Sequence, residues 1–294
     1  MKVGYVCTNF NNSGYTRAAI ASLHAGGRGT DVHIVVVDNQ SRQDDVAALR
    51  QVAADYPSVE LILQDENVGY FPGLNVGIRA MRRQHPEVEC LVVGNNDLEF
   101  PPDFLDQVER HGQILEEWAV VAPDLVTPEG VHQNPHVLHP ISRVRRTIWN
   151  VYYASYVGAA VIRRVAHLTR RLTARAENAA DSELYRVAQP VEQGYGACYL
   201  LGPAFFRHFD AFSAPTFLMQ EEFFLYEQLK RIGQLTYYDP RFVVGHSGHA
   251  TMGKLPSRRH WSLARDAHRI YNRYRGMTAV EQDSFLAAAT RPRS

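Results

Sequence analysis

Cysteine is scarce in this sequence, and its three cysteines lie far apart. Cys7, Cys90 and Cys198 each fall in an apolar run, and no two of them form a CxxC pair. A secreted disulfide framework usually has an even number of cysteines, and a structural zinc site usually contains such pairs. The sequence therefore argues against both and favours buried thiols in a reducing compartment.

Long apolar runs and an excess of either charge are also missing. The longest apolar stretch, 149–162, is interrupted and is shorter than the roughly 20 residues that span a bilayer. The N-terminus starts with a strand-like run and shows no signal peptide, so we expect a cytoplasmic protein. Lysine and arginine number 31, and aspartate and glutamate number 31. Because nucleic-acid binders are usually basic overall, this balance predicts no nucleic-acid partner.

The first hundred residues alternate between short apolar runs and segments with helical spacing. Strands are predicted at 2–8, 32–37 and 59–63, another starts at Cys90 and ends at Asp97, and a helix is predicted at 74–84. Further along the chain, two short strands are predicted at 235–238 and 242–244. Strands that alternate with helices predict parallel pairing through right-handed crossovers. We therefore expect an α/β fold whose first half is of the nucleotide-binding type and whose single sheet continues into the second half.

The apolar run from Cys90 stops abruptly at Asn95-Asn96-Asp97 and is followed by two prolines. Such a run is typical of a strand buried on both faces. Ligands of open α/β sheets bind just beyond the carboxyl ends of such strands, which is where Asp97 falls. A carboxylate there could hold Mg²⁺ or Mn²⁺, with two amides beside it and a diphosphate completing the ligand shell. An Asx-turn is the structural alternative.

Two further polar positions follow predicted strands of the first half. Asp38 could accept a hydrogen bond from a base or a ribose, although aspartates that cap helices are common. The loop that begins at Asn67 contains Gly69, which permits close backbone approach, and Asn75 near a helix start could reach a ribose or a phosphate. The loop is not a GxGxxG fingerprint, and an ordinary strand-to-helix connection would look the same.

The second half contains two candidate sites. Glu221 and Glu222 stand together at a predicted helix start, where neighbouring side chains point in different directions. One of them could face a reacting group as a general base between apolar neighbours, or both could simply complement the helix dipole. His246 follows a predicted strand and could be a metal ligand, a phosphate partner or a structural imidazole.

A basic, aromatic-rich stretch at about 141–188 is mostly helical by composition. Arginines beside aromatic side chains suit an interfacial helix on anionic lipid. They also suit an anionic or lipid-diphosphate acceptor, or a solvated cap over an acceptor groove. The stretch therefore leaves peripheral membrane contact, at the inner face of the membrane, as one expectation.

The order of these signals resembles the family 2 glycosyltransferases of the GT-A fold over about residues 2–275. The resemblance is closest to members that build bacterial polysaccharides and O-antigens, including rhamnosyltransferase-like ones. It implies a single Rossmann-like mixed sheet flanked by helices, with the basic stretch as a helical insert. The segments that carry it are Asp38, Glu66–Gly69 with Asn75, Asn95–Asp97 before Pro101–Leu105, Gly196–Leu201, Glu221–Glu222 with Gly233, and His246–Gly248.

The resemblance implies a role for each matching residue. Asp97 matches the last acid of the metal-binding Asp-x-Asp motif, and Asn95 stands at its first position, which lowers the expected metal affinity. His246 matches a late histidine that completes the metal or diphosphate site. Glu222 matches the base of the family's Glu-Asp pair, and Glu221 is the second choice. The expected nucleotide-binding residues are Thr8, Asn9, Asp38, Asn67, Gly69, Asn75, Asn96 and Arg265.

The activity that the resemblance implies is inverting transfer of a sugar from a nucleotide-diphosphate-sugar donor to a glycan or lipid-linked glycan acceptor. Residues 1–105 would bind the nucleotide sugar, and 106–275 would bind the acceptor and supply the base. The insert would occupy about 141–188 and a C-terminal tail 276–294. The expected cofactor is a divalent metal, Mg²⁺ or Mn²⁺.

Two other classes of protein stay open. A non-catalytic protein of the same fold that binds nucleotide sugars or carbohydrates is favoured by Asn95 in place of an acid. A sugar-phosphate nucleotidyltransferase would need a Gly-rich loop with lysine or arginine directly after the first strand, to handle a triphosphate. Residues 9–14 contain neither basic residue, which argues against this class.

Overall fold

One mixed β-sheet organises the chain in a computed structural model that describes residues 1–26, 32–138, 142–162, 164, 183–248 and 257–289. Residues 141, 163 and 165–182 of the predicted insert lie outside the described residues, as do 290–294 of the predicted tail. The predicted boundaries between the two halves, the insert and the tail therefore stay predictions.

The sheet is nine-stranded and runs through both halves of the chain. Its spatial order is β3-β2-β1-β4-β8-β6-β9-β5, and β7 pairs with β9. The strands β1 to β4 are parallel to one another, whereas β8 runs antiparallel to β4 and to β6. The strands are β1 (Val3–Asn9), β2 (Val32–Asp38), β3 (Val59–Leu63), β4 (Cys90–Gly94), β5 (Leu98–Glu99), β6 (Val120–Val126), β7 (Gln189–Val191), β8 (Cys198–Leu201) and β9 (Thr236–His246). This architecture confirms the predicted α/β fold class.

Helices cover the sheet and connect its strands. They are α1 (Ser13–Ala25), α2 (Gln43–Asp55), α3 (Tyr70–Gln84), α4 (Phe104–His111), α5 (Arg143–Ala154), α6 (Pro203–Phe206), α7 (Glu221–Lys230), α8 (Ser257–Tyr274) and α9 (Ala279–Ala289). Short 3-10 turns occupy Gly112–Glu116 and Leu184–Arg186, and residues 156–162 are also helical. Among the described residues, no helix is both long and apolar enough to cross a membrane.

The core has two apolar layers, one on each face of the sheet. Tyr5 and Ile34 belong to the layer that also contains Ile20 of α1, and the next residues along the strands, Val6 and Val35, belong to the other. This division follows from the alternation of side chains along a strand. Because helices cover both faces, the central strands read as continuous apolar runs in the sequence.

Three predicted boundaries differ from the structure. Helix α3 starts at Tyr70 rather than Leu74, because a proline such as Pro72 is tolerated in the first turn of a helix. The strand predicted to end at Asp97 ends at Gly94, so the polar residues after it form a loop. The two short strands predicted around 235–244 are one strand, β9.

The sheet topology brings several strand ends to one edge. Asn9 pairs with Asp38 at the carboxyl ends of β1 and β2, and Gly94 at the end of β4 is in register with Cys7. His246 at the end of β9 pairs with Leu98, directly after the Asn95–Asp97 loop. The fold therefore gathers the polar residues of distant segments at this edge.

Candidate active site

Asp97 and His246 lie side by side beyond the ends of β4 and β9. Asp97 Oδ1 is 3.4 Å from His246 Nε2, and each side chain is only 3% exposed. Asp97 Oδ1 has no hydrogen-bond partner in the described part of the chain. Burial raises the pKa of the Asp97 carboxyl, but polar contacts with His246, with its own backbone and with Asn95 together outweigh burial, so the pKa is lowered overall. Asp97 is therefore a buried carboxylate that favours its ionised form and offers a free lone pair.

Gln133 determines which nitrogen of His246 carries the proton. Gln133 Oε1 lies 2.7 Å from His246 Nδ1, and an amide oxygen can only accept, so Nδ1 donates. The lone pair of Nε2 then faces Asp97 Oδ1, and Asn95 Nδ2 approaches the same nitrogen at 3.3 Å. Two buried acceptors at this spacing repel each other unless a positive charge lies between them. One carboxylate oxygen and one imidazole nitrogen thus fit a divalent cation that takes further ligands from a diphosphate and water.

The backbone of the Asn95–Asp97 loop is held from two sides. The N–H of Asn95 donates to the carbonyl of Ala197 at 2.8 Å, and the Tyr5 hydroxyl donates to the carbonyl of Asn95 at 2.5 Å. A Cβ on Gly94 would lie 2.2 Å from the Ala197 oxygen, so only glycine allows this approach. The loop is therefore rigidly placed relative to the start of β8.

Glu221 and Glu222 have different environments at the start of α7. Glu221 is 8% exposed, and its Oε1 accepts from the Met219 N–H at 2.8 Å. Burial, reinforced by the charge of Glu222, raises the pKa of Glu221. Glu222 is half-buried, and its Oε1 accepts from the Gly196 N–H at 3.2 Å. We interpret Glu221 as the member that keeps a proton, which leaves Glu222 as the member able to accept one.

A tight left-handed turn precedes this glutamate pair. Met219 and Gln220 have positive φ angles of 79° and 64°, although neither is glycine. Each such residue costs about 1–3 kcal/mol, and such strain clusters at functional sites. The bond from the Met219 N–H to Glu221 braces the turn. The turn therefore sets the direction in which α7 presents Glu222.

One three-residue segment, Tyr195–Ala197, joins the glutamate pair to the Asn95–Asp97 loop. The Gly196 N–H donates to Glu222, and the carbonyl of the following residue, Ala197, accepts from the N–H of Asn95. A Cβ on Gly196 would lie 2.5 Å from Glu222 Oε1, so glycine is required for the contact. The structure thus brings Glu222 and the loop of Asp97 to a single short stretch of backbone.

Tyr195 and Gln133 lie in this site although sequence reasoning did not single them out. Burial raises the pKa of Tyr195, and the charges of Glu222 and then Asp97 raise it further, so its phenol lies near both carboxylates. Its ring centroid is 5.8 Å from that of His246. The Gly-Tyr-Gly-Ala run at 194–197 is the only local signal, because close backbone approach favours glycine.

Asn9 and Asp38 form a buried polar cluster at the ends of β1 and β2. Asn9 Nδ2 donates to Asp38 Oδ1 at 2.9 Å and to Asp45 Oδ2 at 2.8 Å. The Ser41 N–H donates to Asp38 Oδ2 at 2.9 Å, and the Ser41 hydroxyl donates to Oδ1 at 2.5 Å. A carboxylate accepts about four hydrogen bonds, so Asp38 retains one acceptor position beside its three protein donors.

Asn96 and Asn75 each make hydrogen bonds to segments that are distant in the sequence. Asn96 Nδ2 lies 2.7 Å from Thr16 Oγ1, 2.8 Å from Asn12 Oδ1 and 3.1 Å from Asn9 Oδ1. Asn75 Nδ2 donates to the carbonyl of Phe212 at 2.8 Å, and Asn75 Oδ1 accepts from the N–H of Phe212 at 2.9 Å. These contacts give both amides a structural role, and nucleotide contact by either stays a prediction.

Replacing Asn75 with alanine is expected to lower the free energy of unfolding by about 2–4 kcal/mol. The change leaves the buried N–H and C=O of Phe212 without partners, and each unsatisfied group costs about 1–3 kcal/mol. Urea unfolding of this variant and of Asn67→Ala would measure the difference. If Asn75→Ala instead keeps its stability and weakens donor binding, the nucleotide-binding prediction is correct and the structural role is not.

Gly69 connects the loop from Asn67 to the turn before α7. Gly69 has a φ of 98°, and a Cβ there would lie 1.9 Å from the carbonyl oxygen of Phe217. Its N–H donates to Asn67 Oδ1 at 3.0 Å, and the next N–H, that of Tyr70, donates to Phe217. Nearby, a Cβ on Gly73 would lie 2.8 Å from the methyl carbon of Thr8, so glycine at this position leaves room for Thr8.

Arg265 lies apart from the other predicted nucleotide-binding residues. Its guanidinium contacts Asp266 at 2.8 Å, approaches Ser262 and lies over the ring of Trp261, all on α8. The structure therefore does not join Arg265 to the strand-end cluster, and its predicted role stays a prediction.

Comparison with known proteins identifies the class. The sequence profile described as "Glycosyl transferase family 2" matches residues 6–168, more than half of the chain, and the chain belongs to this family. This confirms the predicted family. No curated protein matches the chain.

Two solved structures share its GT-A fold. The mannosyltransferase PcManGT from Pyrobaculum calidifontis, in complex with GDP-Man and Mn²⁺, is 15% identical, with a TM-score of 0.53 over 98% of this chain and 68% of that chain. GalNAc-T7 with UDP, GalNAc and Mn²⁺ is 10% identical, with a TM-score of 0.55 over 98% of this chain and 55% of that chain. At these identities the similarity establishes the fold alone.

Proposed function

We propose that this chain transfers a sugar from a nucleotide-diphosphate-sugar donor to a hydroxyl of a glycan or lipid-linked glycan acceptor, in one inverting displacement. The observation that carries this proposal is the segment Tyr195–Ala197, which contacts both Glu222 and the Asp97 loop. Membership of glycosyl transferase family 2 supports the reaction class. The GDP-Man, UDP and Mn²⁺ of the two structures with the same fold support this donor class and a divalent cofactor, Mg²⁺ or Mn²⁺.

Asp97 and His246 would hold the cation through Oδ1 and Nε2, the two facing acceptors. Asn95 would add a neutral ligand in place of a second carboxylate, which lowers the affinity. When bound, a divalent cation supplies positive charge that stabilises a leaving diphosphate. Gln133 accepts from Nδ1 and so orients the imidazole with Nε2 towards Asp97.

The donor nucleotide would lie along the ends of β1 and β2. Asp38 has one acceptor position left for a base N–H or a ribose hydroxyl. Asn9 orients that carboxylate, and Thr8, Asn67 and Gly69 would border the nucleotide. The backbone approach at Gly69 supports this arrangement, because it leaves no side chain in the way.

Glu222 would act as the general base. As the acceptor oxygen forms a bond to the anomeric carbon, Glu222 takes the proton of that hydroxyl. The bond from the anomeric carbon to the phosphate oxygen breaks, and the nucleoside diphosphate leaves with the electron pair. Attack and departure occur on opposite faces, so a single displacement inverts the configuration. Burial raises the pKa of Glu221, and a proton on Glu221 would lower the negative charge beside Glu222.

Release of nucleoside diphosphate from a panel of nucleotide sugars, with Mn²⁺ and with EDTA, tests this function. We expect metal-dependent release from one donor, faster with an acceptor, and an inverted anomeric configuration in the product by NMR. Retention would contradict the single displacement. Donor binding without release, with any acceptor, would favour the binding-protein alternative, which Asn95 in the metal motif supports.

Replacing Gln133 with leucine is expected to weaken Mn²⁺ binding by about 10- to 100-fold, because partners behind a metal-binding histidine fix its tautomer and orientation. Titration monitored by the EPR signal of free Mn²⁺ measures the affinity independently of activity. The exposed Gln113→Leu variant is the control. Equal affinity in both variants would show that Gln133 does not position His246.

A further inference from the structure

A polar cavity lies beside α7, and neither Asp97 nor His246 is among the residues that line it. It has a volume of about 290 Å³, and its walls come from α5, the residues after β7, α7 and α8. Three cationic and two anionic side chains line it: Arg146, Lys230, Arg275, Glu192 and Glu227. Two tyrosines, Tyr226 and Tyr271, add hydroxyl groups and aromatic faces. The lining therefore carries one excess positive charge.

The carboxylates of the cavity already have partners in the protein. Glu227 is 7% exposed, with Oε1 accepting from the Tyr271 hydroxyl at 3.1 Å and Oε2 accepting from Lys230 Nζ at 3.2 Å. Burial and then interaction with Glu192 raise the pKa of Tyr226 to about 12, which places that phenol against Glu192. Lys230 is thus neutralised by Glu227, and each carboxylate is held by a tyrosine.

One guanidinium group of the cavity is less well satisfied. Nη1 of Arg275 is buried and has no hydrogen-bond partner among the described residues. A charged group with an unsatisfied N–H is unfavourable, and Arg275 lines the cavity, so its guanidinium has hydrogen-bonding capacity left for a ligand oxygen. Arg146 lines the same cavity from α5, and its positive charge acts on both Tyr226 and Tyr271. Two guanidinium groups facing one small cavity suit an oxyanion.

The cavity lies next to Glu222 along α7. Tyr226 follows Glu222 by one helical turn, and residues four apart lie on the same face of a helix. Helical side chains lean towards the N-terminus, so the Tyr226 ring covers the turn nearer to Glu222. On the other wall, Glu192 and Gln193 come shortly before Gly196, which contacts Glu222. A molecule with one group in the cavity can therefore place a hydroxyl near Glu222.

We propose that this cavity is an acceptor subsite that binds an oxyanion of the acceptor, a carboxylate or a phosphate, through Arg146 and Arg275. The inference rests on the proposed function, because it takes Glu222 as the base that receives the acceptor hydroxyl. It narrows the acceptor from any glycan to one that carries an anionic group close to the hydroxyl that is glycosylated.

Titration of inorganic phosphate and of D-glucuronate into the full chain, with EDTA present, tests the subsite directly. Amide NMR shifts of residues 192–193 and 226–230 report binding in the cavity. We expect Arg275→Gln and Arg146→Gln each to weaken binding about tenfold or more, because each removes a charge-assisted contact. Arg269→Gln, an exposed charge loss on α8 six residues before Arg275, should bind as the wild type does.

The comparison of probes identifies the source of the anion. Tighter phosphate binding points to a phosphorylated acceptor, and tighter glucuronate binding points to a uronic acid. The proposal would be overturned if neither anion shifts the amide NMR signals of the cavity residues. It would also be overturned if Arg146→Gln and Arg275→Gln bind the anions as tightly as Arg269→Gln does. Thermal melting followed by circular dichroism shows whether each variant is folded. If Arg275→Gln does not fold, the anion affinity of Arg146→Gln, on α5, tests the proposal in its place.

Release of nucleoside diphosphate by donor hydrolysis, without acceptor, separates this proposal from the proposed function. The Arg275→Gln variant should hydrolyse the donor at the wild-type rate. Only its KM for an anionic acceptor, methyl glucuronide or a sugar phosphate, should rise, by tenfold or more. If the wild type hydrolyses no donor, the proposed function fails while anion binding still decides the subsite. If hydrolysis is normal and no anion binds, only the subsite is wrong.

Discussion

Replacing Glu222 with glutamine is expected to lower kcat by about 10²- to 10⁴-fold, the usual contribution of a general base. Glutamine keeps the size of the side chain, and its carbonyl can still accept from the Gly196 N–H. It cannot take a proton from the acceptor hydroxyl. The loss should therefore fall on kcat for transfer, while the dissociation constant of the donor stays within a few-fold of the wild-type value.

The neighbouring variant Glu221→Gln is the matched control for this measurement. Burial raises the pKa of Glu221, so its side chain already favours a neutral form that glutamine imitates. Glutamine also retains the acceptor for the Met219 N–H. We expect kcat within about tenfold of the wild-type value. The opposite order, with the larger loss in Glu221→Gln, would make Glu221 the base, the second choice from the sequence.

The pair of variants also separates catalysis from binding. Calorimetric titration of the donor's nucleoside diphosphate with Mn²⁺ should give similar affinities for Glu222→Gln, Glu221→Gln and the wild type. Equal kcat in all three would mean that neither glutamate is the base. A loss of nucleotide affinity in Glu222→Gln would instead assign this residue to binding.

The strands could be predicted from the sequence because their environment is uniform. Residues Ile34 to Val37 are apolar and buried, and the apolar run ends at Asp38, which is also buried but has polar partners such as Asn9. The same reasoning locates Asp97 at a strand end. It misplaces the start of α3, because local propensity treats Pro72 as a helix breaker and does not register that the first turn tolerates it.

The contacts that complete the site join residues far apart in the chain. Gln133 meets His246 across 113 residues, and Asn95 meets the same imidazole across 151. Such pairs leave no periodic signal, because only the sheet order brings β9 beside the Asn95–Asp97 loop. The resemblance to a family could indicate Asp97, Glu222 and His246. It could not indicate Gln133, whose role depends on the tautomer of another residue.

Asn75 and Arg265 are two predicted nucleotide-binding residues whose contacts in the structure are with the protein itself. Both fall in segments that border nucleotide in the family that the sequence resembles, and both have polar side chains. In the structure Asn75 uses one donor and one acceptor on the backbone of Phe212, and the guanidinium of Arg265 contacts residues of its own helix. These contacts could not be read from the sequence, and the nucleotide-binding role of both residues stays a prediction.

Replacing Asp97 with asparagine is expected to abolish metal-dependent transfer, with a loss of about 10²-fold or more, while the protein remains at least as stable without metal. The charge that would hold the cation is removed, and Lewis-acid stabilisation is worth several kcal/mol in the transition state. The new amide can also donate to His246 Nε2, which the Asp97 carboxylate faces at 3.4 Å as a second acceptor. Removing that repulsion offsets the lost charge in the folded state.

Three measurements check this outcome together. Transfer should fall, Mn²⁺ affinity by EPR should fall at least tenfold, and the metal-free melting temperature should stay level or rise. The exposed Asp103→Asn variant, six residues further along the chain, controls for loss of one negative charge. Should Asp97→Asn unfold more easily and bind Mn²⁺ as the wild type does, then Asp97 is a structural partner of a protonated His246. In that case the facing pair is an ion pair of the fold, and the cation must be bound elsewhere or not at all.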